Sequence, residues 1–594
     1  PVSVDAVASH TFVKADASTK GTVDWDAPIW GAVDMHAHPA AHLGFGGKLL
    51  HGDPDGPIGD ALDSCKCTHR VWEPGNTCGN ILRGVIVNQM EEHYAYKRPS
   101  AFLSTAAAVA TSGIAAAVPL DLDHPDQGYP DFAAWPHFSS ATHQQMWHGW
   151  LKRAYEGGLR VLVALSVNNH LLAMATDGDP PNDDRTVADA QIAHVKKFVA
   201  NHADFMEIAY SPAELRDIVR RNKLAVVIGT EIDNPGDLYK TLLPVANPAT
   251  EAMVESELER QYCEGVRYQF LVHLVDNAFS GAAVYGDMFN VSNKFTSLLP
   301  LVVDNPVPSG AVFDVEQASD PLIEFRLNAP LGMDSGVVFG ISLAVKAVEM
   351  DPFLFMFLNS QGEYRVMKSY FLTPDPRLDK YATIAPGKGH QNKKGLTALG
   401  ETALGKLMDM GTMIDIDHLS QKAVTRALGI ADTRSPKYPL NSGHNSFRWI
   451  GSKIKQGASE NSRSDNDYKK ITDLGGLIGI GNGYTPLDKK KVGNSFSKKM
   501  YDIVPAAFKP TKHLSQGAKN VRYNCGGSSQ SFAMNYLYAV EIGNGAAVAL
   551  GTDTNGIFPK IGPRFGPYAT LNDNVCAAKP VATMSSYGGT RSED

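Results

Sequence analysis

WGAVDMHAHP, residues 30–39, runs an apolar stretch into two histidines one residue apart. In a β-strand, side chains two positions apart point to the same side. His36 and His38 are therefore offered to one point in space. That is either a metal site or a coincidence, and the rest of the chain decides between them.

Short apolar runs recur along the 594 residues, and several are separated by helical patterns. After residues 30–36 come 114–123 (IAAAVPLDLD), 159–169 (LRVLVALSVNN), 224–231 (LAVVIGTE), 265–273 (GVRYQFLVH), 411–418 (GTMIDIDH), 438–444 (YPLNSGH), 475–483 (GGLIGIGNG) and 546–553 (AAVALGTD). Most are continuously apolar, as expected of parallel strands covered on both faces. Strand alternating with helix predicts an α/β fold, here a (β/α)8 TIM-type barrel. Nine runs compete for eight places, so one early run lies outside the barrel.

Two segments break the rhythm. Residues 285–394 look β-rich and turn-rich, and are expected to form an insertion, a possible lid, between a first part of the barrel (1–284) and a second part (395–594). Residues 488–529, basic at the start and rich in Gly and Ser at the end, read as a further insertion. Loops that follow barrel strands surround the mouth, so insertions there shape access.

Composition narrows the function. A 43% hydrophobic content supports a large core, and a formal net charge of -8 gives no reason to expect nucleic acid or an anionic membrane as partner. No apolar run reaches the ~18 residues that span a bilayer. Of the six cysteines, Cys65, Cys67 and Cys78 share one Gly/Pro/Asp-rich loop. A zinc finger lacks its fourth ligand nearby, so a disulfide in an exported, periplasmic or secreted, soluble protein is the preferred reading, with reduced structural thiols as the alternative. The pairing is not legible.

The strand ends carry the chemistry. They bear His36 and His38, Glu231, His273, His418, His444 and Asp553. In a (β/α)8 barrel such ends converge on one mouth. Taken singly, each has a plain structural reading: a hydrogen-bonded histidine, a capping or ion-paired carboxylate. As a set, these nitrogen and oxygen donors suit zinc or another divalent transition metal. They exceed what one ion needs and match two ions about 3.5–4 Å apart sharing a carboxylate. Glu231 is the natural bridge, with His36 and His38 on one ion and His418 and His444 on the other. A hydroxide held between two such ions exists near neutral pH, and Asp553 is placed to orient it and pass its proton to a leaving amine. Asp34 reads as a supporting carboxylate.

The same residues carry a resemblance. SPAELRDIVRRNKLAVVIGTEIDN, GVRYQFLVHLVDNAFSG, GLTALGETALGKLMDMGTMIDIDHLS, LNSGHNS and VALGTDTNG follow one another from residue 211 to 556, with DMHAHP ahead of them. In this order they resemble the membrane (renal) dipeptidase family of zinc peptidases, among the amidohydrolase-like barrels. The resemblance covers about half the chain. It implies two zinc ions on the donors named above, a dipeptide substrate and a homodimer. It implies that His273 touches the substrate carbonyl as an oxyanion stabiliser, and that an arginine holds the substrate carboxylate; Arg463 is the preferred candidate and Arg448 its rival.

The chain also departs from that pattern. The family's His-x-Asp is His36-x-His38 here, which leaves the site one charge more positive. Its Glu-Gly-Gly is Glu231-Ile232-Asp233, and its Asp-Phe-Asp-Gly is Asp553-Thr554-Asn555-Gly556. The first change bears on the preferred metal and on the acidity of its water, the change beside Glu231 on the substrate pocket. A related amidohydrolase acting on another amide, a lactam or an amino-acid conjugate is the second reading. A barrel that has lost catalysis and binds a ligand is the third.

Overall fold

The computed structural model describes residues 29–69, 141–238, 249–284, 391–447, 460–481 and 529–557, apart from 177, 180, 446 and 544, together with 78, 83, 87, 128–129, 293 and 303–304. Eleven strands are present among them: β1 (Ala32–Ala37), β2 (Leu159–Asn168), β3 (Met206–Ile208), β4 (Leu224–Ile232), β5 (Tyr268–Phe270), β6 (Val303–Asp304), β7 (Gln391–Asn392), β8 (Met413–Asp415), β9 (Ser442–Asn445), β10 (Ile478–Gly481) and β11 (Val548–Gly551).

Eight of these form one parallel sheet in the order β8-β5-β4-β2-β1-β11-β10-β9, which is chain order read around a ring. The ring closes between its two ends. Asn441 N donates to the Ile414 carbonyl at 2.9 Å, and the Asn441 carbonyl accepts from Ile416 N at 2.9 Å. The protein is thus a (β/α)8 barrel, and its eight strands coincide with eight of the nine apolar runs. The ninth run, 114–123, lies outside the described residues. The short β3 pairs with the first half of β4, below the point where β5 takes over the same edge.

All ten residues of β2 and all nine of β4 are buried. Alternation divides them between two layers. Val161, Val163, Leu165 and Val227 share a cluster with Met35, Phe270 and Ala549, which come from strands around the ring. Leu162, Ala164, Val226 and Ile228 instead pack on Ile192, Val195 and Phe198 of the helix Asp184–Asn201. Burying each such aliphatic side chain contributes about 1.5–3 kcal/mol, so the two long strands fix the barrel wall. Helices start where polar caps allow. Asp183, Ser211, Thr250, Thr397, Ser420 and Ser464 each accept a backbone N–H in the first turn of the helix that follows.

Two local features aim the site. Asp34 pairs with Leu162 and Ala37 with Ala164, so β1 carries one extra residue between Asp34 and Ala37. Such a bulge re-aims side chains at the rim of a barrel. Two strands round the ring from β1, a methyl placed on Gly479 would lie 1.9 Å from the Gly443 carbonyl oxygen. Glycine at position 479 therefore lets β10 close in beside His444.

Of the 285–394 insertion, the described parts are its ends. β6 and β7 pair antiparallel, Val303 with Asn392 and Asp304 with Gln391. Val284 N and Asn392 N both donate to Glu460 Oε2, at 2.9 and 3.0 Å, so one buried carboxylate pins the entry and the exit of the excursion. The expected β-rich interior of this segment lies outside the described residues, as do 488–528 and Arg448. No helix of the described residues is long and apolar enough to cross a membrane.

Candidate metal centre

Glu231 stands in β4 at the mouth of the barrel, buried, with each carboxylate oxygen facing a different pair of imidazoles. Oε2 lies 3.0 Å from His36 Nε2 and 3.3 Å from His38 Nε2. Oε1 lies 2.9 Å from His418 Nε2 and 3.8 Å from His444 Nε2. Within each pair the ring nitrogens face one another, His36 to His38 at 3.1 Å and His418 to His444 at 2.9 Å. Asp553 Oδ1 joins the first pair, 3.2 Å from His38 and 3.7 Å from His36. His273 closes the rim, its Nε2 3.9 Å from Glu231 Oε2.

Sequence reasoning placed these donors at strand ends, and the structure brings all seven to one mouth, with a refinement. His273, His418 and Asp553 sit two or three residues beyond the last residue of β5, β8 and β11, whereas His444 and Glu231 lie within strands. The loop donors are held in unusual backbone. His418 has φ +65° and Asp553 φ +49°, in the left-handed region that side chains other than glycine enter at a cost. Neighbours fix those turns: Asp553 N donates to the His36 carbonyl, and His418 N to Asn461 Oδ1.

The electrostatics divide the cage into two halves. Burial dominates at His36 and His273 and pushes them down to about 4 and about 3. At His38 burial is outweighed by Asp553 and Glu231, which raise it to about 9. At His444 burial is outweighed by Asp417, which raises it to about 10. Burial opposes ionisation of Glu231, but the surrounding imidazoles hold it well below the usual carboxylate range.

A divalent transition metal fits this donor set. Three donor triads of the cage have all their candidate ligand atoms within 4.8 Å of one another: His36, His38 and Asp553; His36, Glu231 and His444; Glu231, His273 and His418. Glu231 Oε1 is buried against the ring nitrogens of His418 and His444, and a carboxylate so placed is costly unless positive charge meets it.

Supporting carboxylates hold the rings. Asp417 Oδ2 lies 3.0 Å from His444 Nδ1 and also accepts the His444 backbone N–H at 3.0 Å, while its other oxygen accepts from Ser442 Oγ at 2.5 Å. Asp233 Oδ1 accepts Leu274 N at 2.8 Å and lies 3.8 Å from His273 Nδ1, while Oδ2 accepts from Asn169 at 2.6 Å. Asp34 ties β1 to β11 by accepting from Thr552 Oγ1 at 2.6 Å and from Thr552 N at 3.0 Å. Sequence reasoning missed the roles of Asp417 and Asp233. The available signal was adjacency: Asp417 directly precedes His418 in IDIDH, and Asp233 is two residues after Glu231.

Arg463 is placed less simply than expected. It is 0% exposed. Its Nε lies 3.4 Å from Asp417 Oδ1, and Nη2 donates to the Ile416 carbonyl at 2.9 Å and to Asn461 Oδ1 at 3.1 Å. Nη1 is the guanidinium nitrogen without an acceptor. The arginine supports the His444 side of the cage through Asp417.

Comparison with known proteins adds resemblance of shape. No family model and no curated protein matches the chain. Among solved structures, the chain is similar to a dipeptidase of metallopeptidase family M19, at 11% identity and TM-score 0.34 over 75% of this chain and 82% of that one. It is similar to a metallopeptidase from Rhodobacter sphaeroides liganded with a phosphinate mimic of the dipeptide L-Ala-D-Ala, at 11% identity and TM-score 0.34 over 75% and 84%. It is also similar to an amidohydrolase from Pseudomonas aeruginosa, at 12% identity and TM-score 0.33 over 67% and 68%. Overlap of this extent settles no chemistry, and the functional reading rests on the side chains.

Proposed function

We propose that this protein is a metal-dependent hydrolase that cleaves the amide bond of a dipeptide or a similar small amide. The observation that carries this reading is the division of Glu231: one oxygen on His36 and His38, the other on His418 and His444. That arrangement suits two zinc ions sharing a carboxylate. When bound, the ions supply Lewis-acid polarisation of a carbonyl and acidify a water molecule.

The chain's own residues supply the rest. Asp553 is 22% exposed, the most open of the charged groups here, and its carboxylate faces the first imidazole pair. It takes the proton of the attacking water and returns it to the amine that leaves as the C–N bond breaks. His273 is neutral at pH 7 and presents an N–H toward the oxygen on which negative charge develops. Arg463, wholly buried, braces Asp417 behind His444.

The test is turnover of the zinc-loaded full chain on a panel of dipeptides, including D-residues at the C-terminal position, with lactams and N-acyl amino acids beside them. Hydrolysis of dipeptides supports the reading. Turnover confined to lactams or acyl conjugates transfers it to a related amidohydrolase, and no turnover by a fully loaded protein overturns it.

A further inference from the structure

The loop that follows β1 holds the three clustered cysteines, and the structure divides them. Cys67 and Cys78 form a disulfide. Cys65 remains a thiol, and it is buried. It directly precedes the helical turn Lys66–His69, whose His69 N donates to the Cys65 carbonyl at 2.8 Å. Residues four apart on a helical turn share a face. A third donor, His143, comes from a segment laced to this loop: His51 N donates to the Thr142 carbonyl at 2.8 Å, and Gln144 N to the His51 carbonyl at 2.7 Å. Cys65, His69 and His143 are all buried, and one ligand atom of each lies within 4.8 Å of the others.

We propose that Cys65, His69 and His143 form a second, separate metal site that takes one thiophilic transition-metal ion, zinc or copper. The donor chemistry supports it. A thiolate with two imidazoles selects these ions over calcium, magnesium or manganese. The His69 tautomer is suitable as well. Its Nε2 lies 2.9 Å from the Leu49 carbonyl, which can only accept, so Nε2 carries the hydrogen and Nδ1 carries the lone pair. Zinc bond lengths of ~2.0 Å to nitrogen and ~2.3 Å to sulfur place tetrahedral donors roughly 3.5 Å apart, so small side-chain rotations complete the site. His51 forms its wall rather than a ligand, with Nε2 3.0 Å from the Asp63 carbonyl and Nδ1 2.7 Å from Thr68 Oγ1. The fourth position is left to water or an added donor.

The site's role is to clamp the loop that shapes the mouth. The segment bearing His143 also reaches the backbone of the cage. Gln144 Nε2 donates to the Pro39 carbonyl at 3.2 Å, Gln145 N to Asn555 Oδ1 at 2.9 Å, and Asn555 Nδ2 to the His38 carbonyl at 3.1 Å. A metal joining Cys65 to His143 therefore braces His38 from behind without touching substrate.

The two sites differ in one readable property: the cage at Glu231 has only nitrogen and oxygen donors, and the second site has sulfur. The full chain, stripped and reloaded with cobalt(II), is expected to show a sulfur-to-cobalt charge-transfer absorption. In Cys65→Ser this band disappears and metal content falls by one equivalent, while the remaining cobalt stays bound. Elemental analysis of the protein as purified, wild type against Cys65→Ser, then identifies the native ion as zinc or copper. No such band in the wild type, or a band that persists in Cys65→Ser, overturns the proposal. Should Cys65→Ser fail to fold, His143→Gln provides the second variant, expected to lose the same equivalent and to alter the band; a folded His143→Gln protein with the wild-type spectrum and metal content overturns the proposal.

Discussion

His444 turns Nε2 toward His418, at 2.9 Å, and Nδ1 toward Asp417 Oδ2, at 3.0 Å. A carboxylate behind a metal-facing imidazole fixes the ring and raises its basicity, and loss of such a partner typically lowers metal affinity 10–100-fold. Asp417→Asn is therefore expected to weaken one of the two ions by about that factor and leave the His36/His38 half unchanged. Chelator competition resolves the two ions: one release step should shift and the other should not. Equal weakening of both would contradict the division of the cage.

Of the five histidines around Glu231, His273 keeps its Nε2 farthest from the carboxylate, at 3.9 Å. If it stabilises the oxyanion, His273→Gln leaves the metal content at the wild-type level and lowers kcat/KM by about 10²–10³. Metal analysis and steady-state kinetics on one preparation separate the roles, since loss of an ion would make His273 a ligand instead.

Asp237 sits at the start of the helix Asp184–Asn201, accepting Asp184 N at 3.3 Å and Arg185 N at 3.1 Å. Burial and the neighbouring Asp183 carboxyl push it up to about 7. The folded protein thus holds this proton more tightly than the unfolded chain does. The resulting stability is full below the ordinary carboxylate range and is lost as pH rises toward 7. Asn at this position keeps an acceptor and removes the charge. The stability gained by Asp237→Asn over wild type should therefore grow by about 1–3 kcal/mol between pH 5 and pH 8. Denaturant titrations at the two pH values, with metal held constant, give the number; a gain independent of pH would assign Asp237 a different role.

The eight strands were legible because parallel strands covered on both faces need unbroken apolar runs, as in β2 and β4, where every residue is buried. The donors were legible because a barrel gathers its strand ends, so position along an apolar run stood in for position in space. Other features depend on contacts that distance along the chain conceals. Asp417 is next to His418 in sequence yet serves His444. Arg463 is enclosed by Asp417, Ile416 and Asn461, where the sequence pointed to a substrate contact. The bulge in β1 follows from its pairing with β2, and WGAVDMHAHP does not signal it. The cysteine cluster gave no pairing, and His143 lies 78 positions beyond Cys65.

The central claim is that Glu231 joins two cations. The most direct measurement is metal content per chain for wild type and Glu231→Gln, purified side by side, with folding checked by circular dichroism. The account predicts that a folded Glu231→Gln protein loses two equivalents relative to wild type, and hydrolysis with them. A folded variant that retains the wild-type metal content would contradict it.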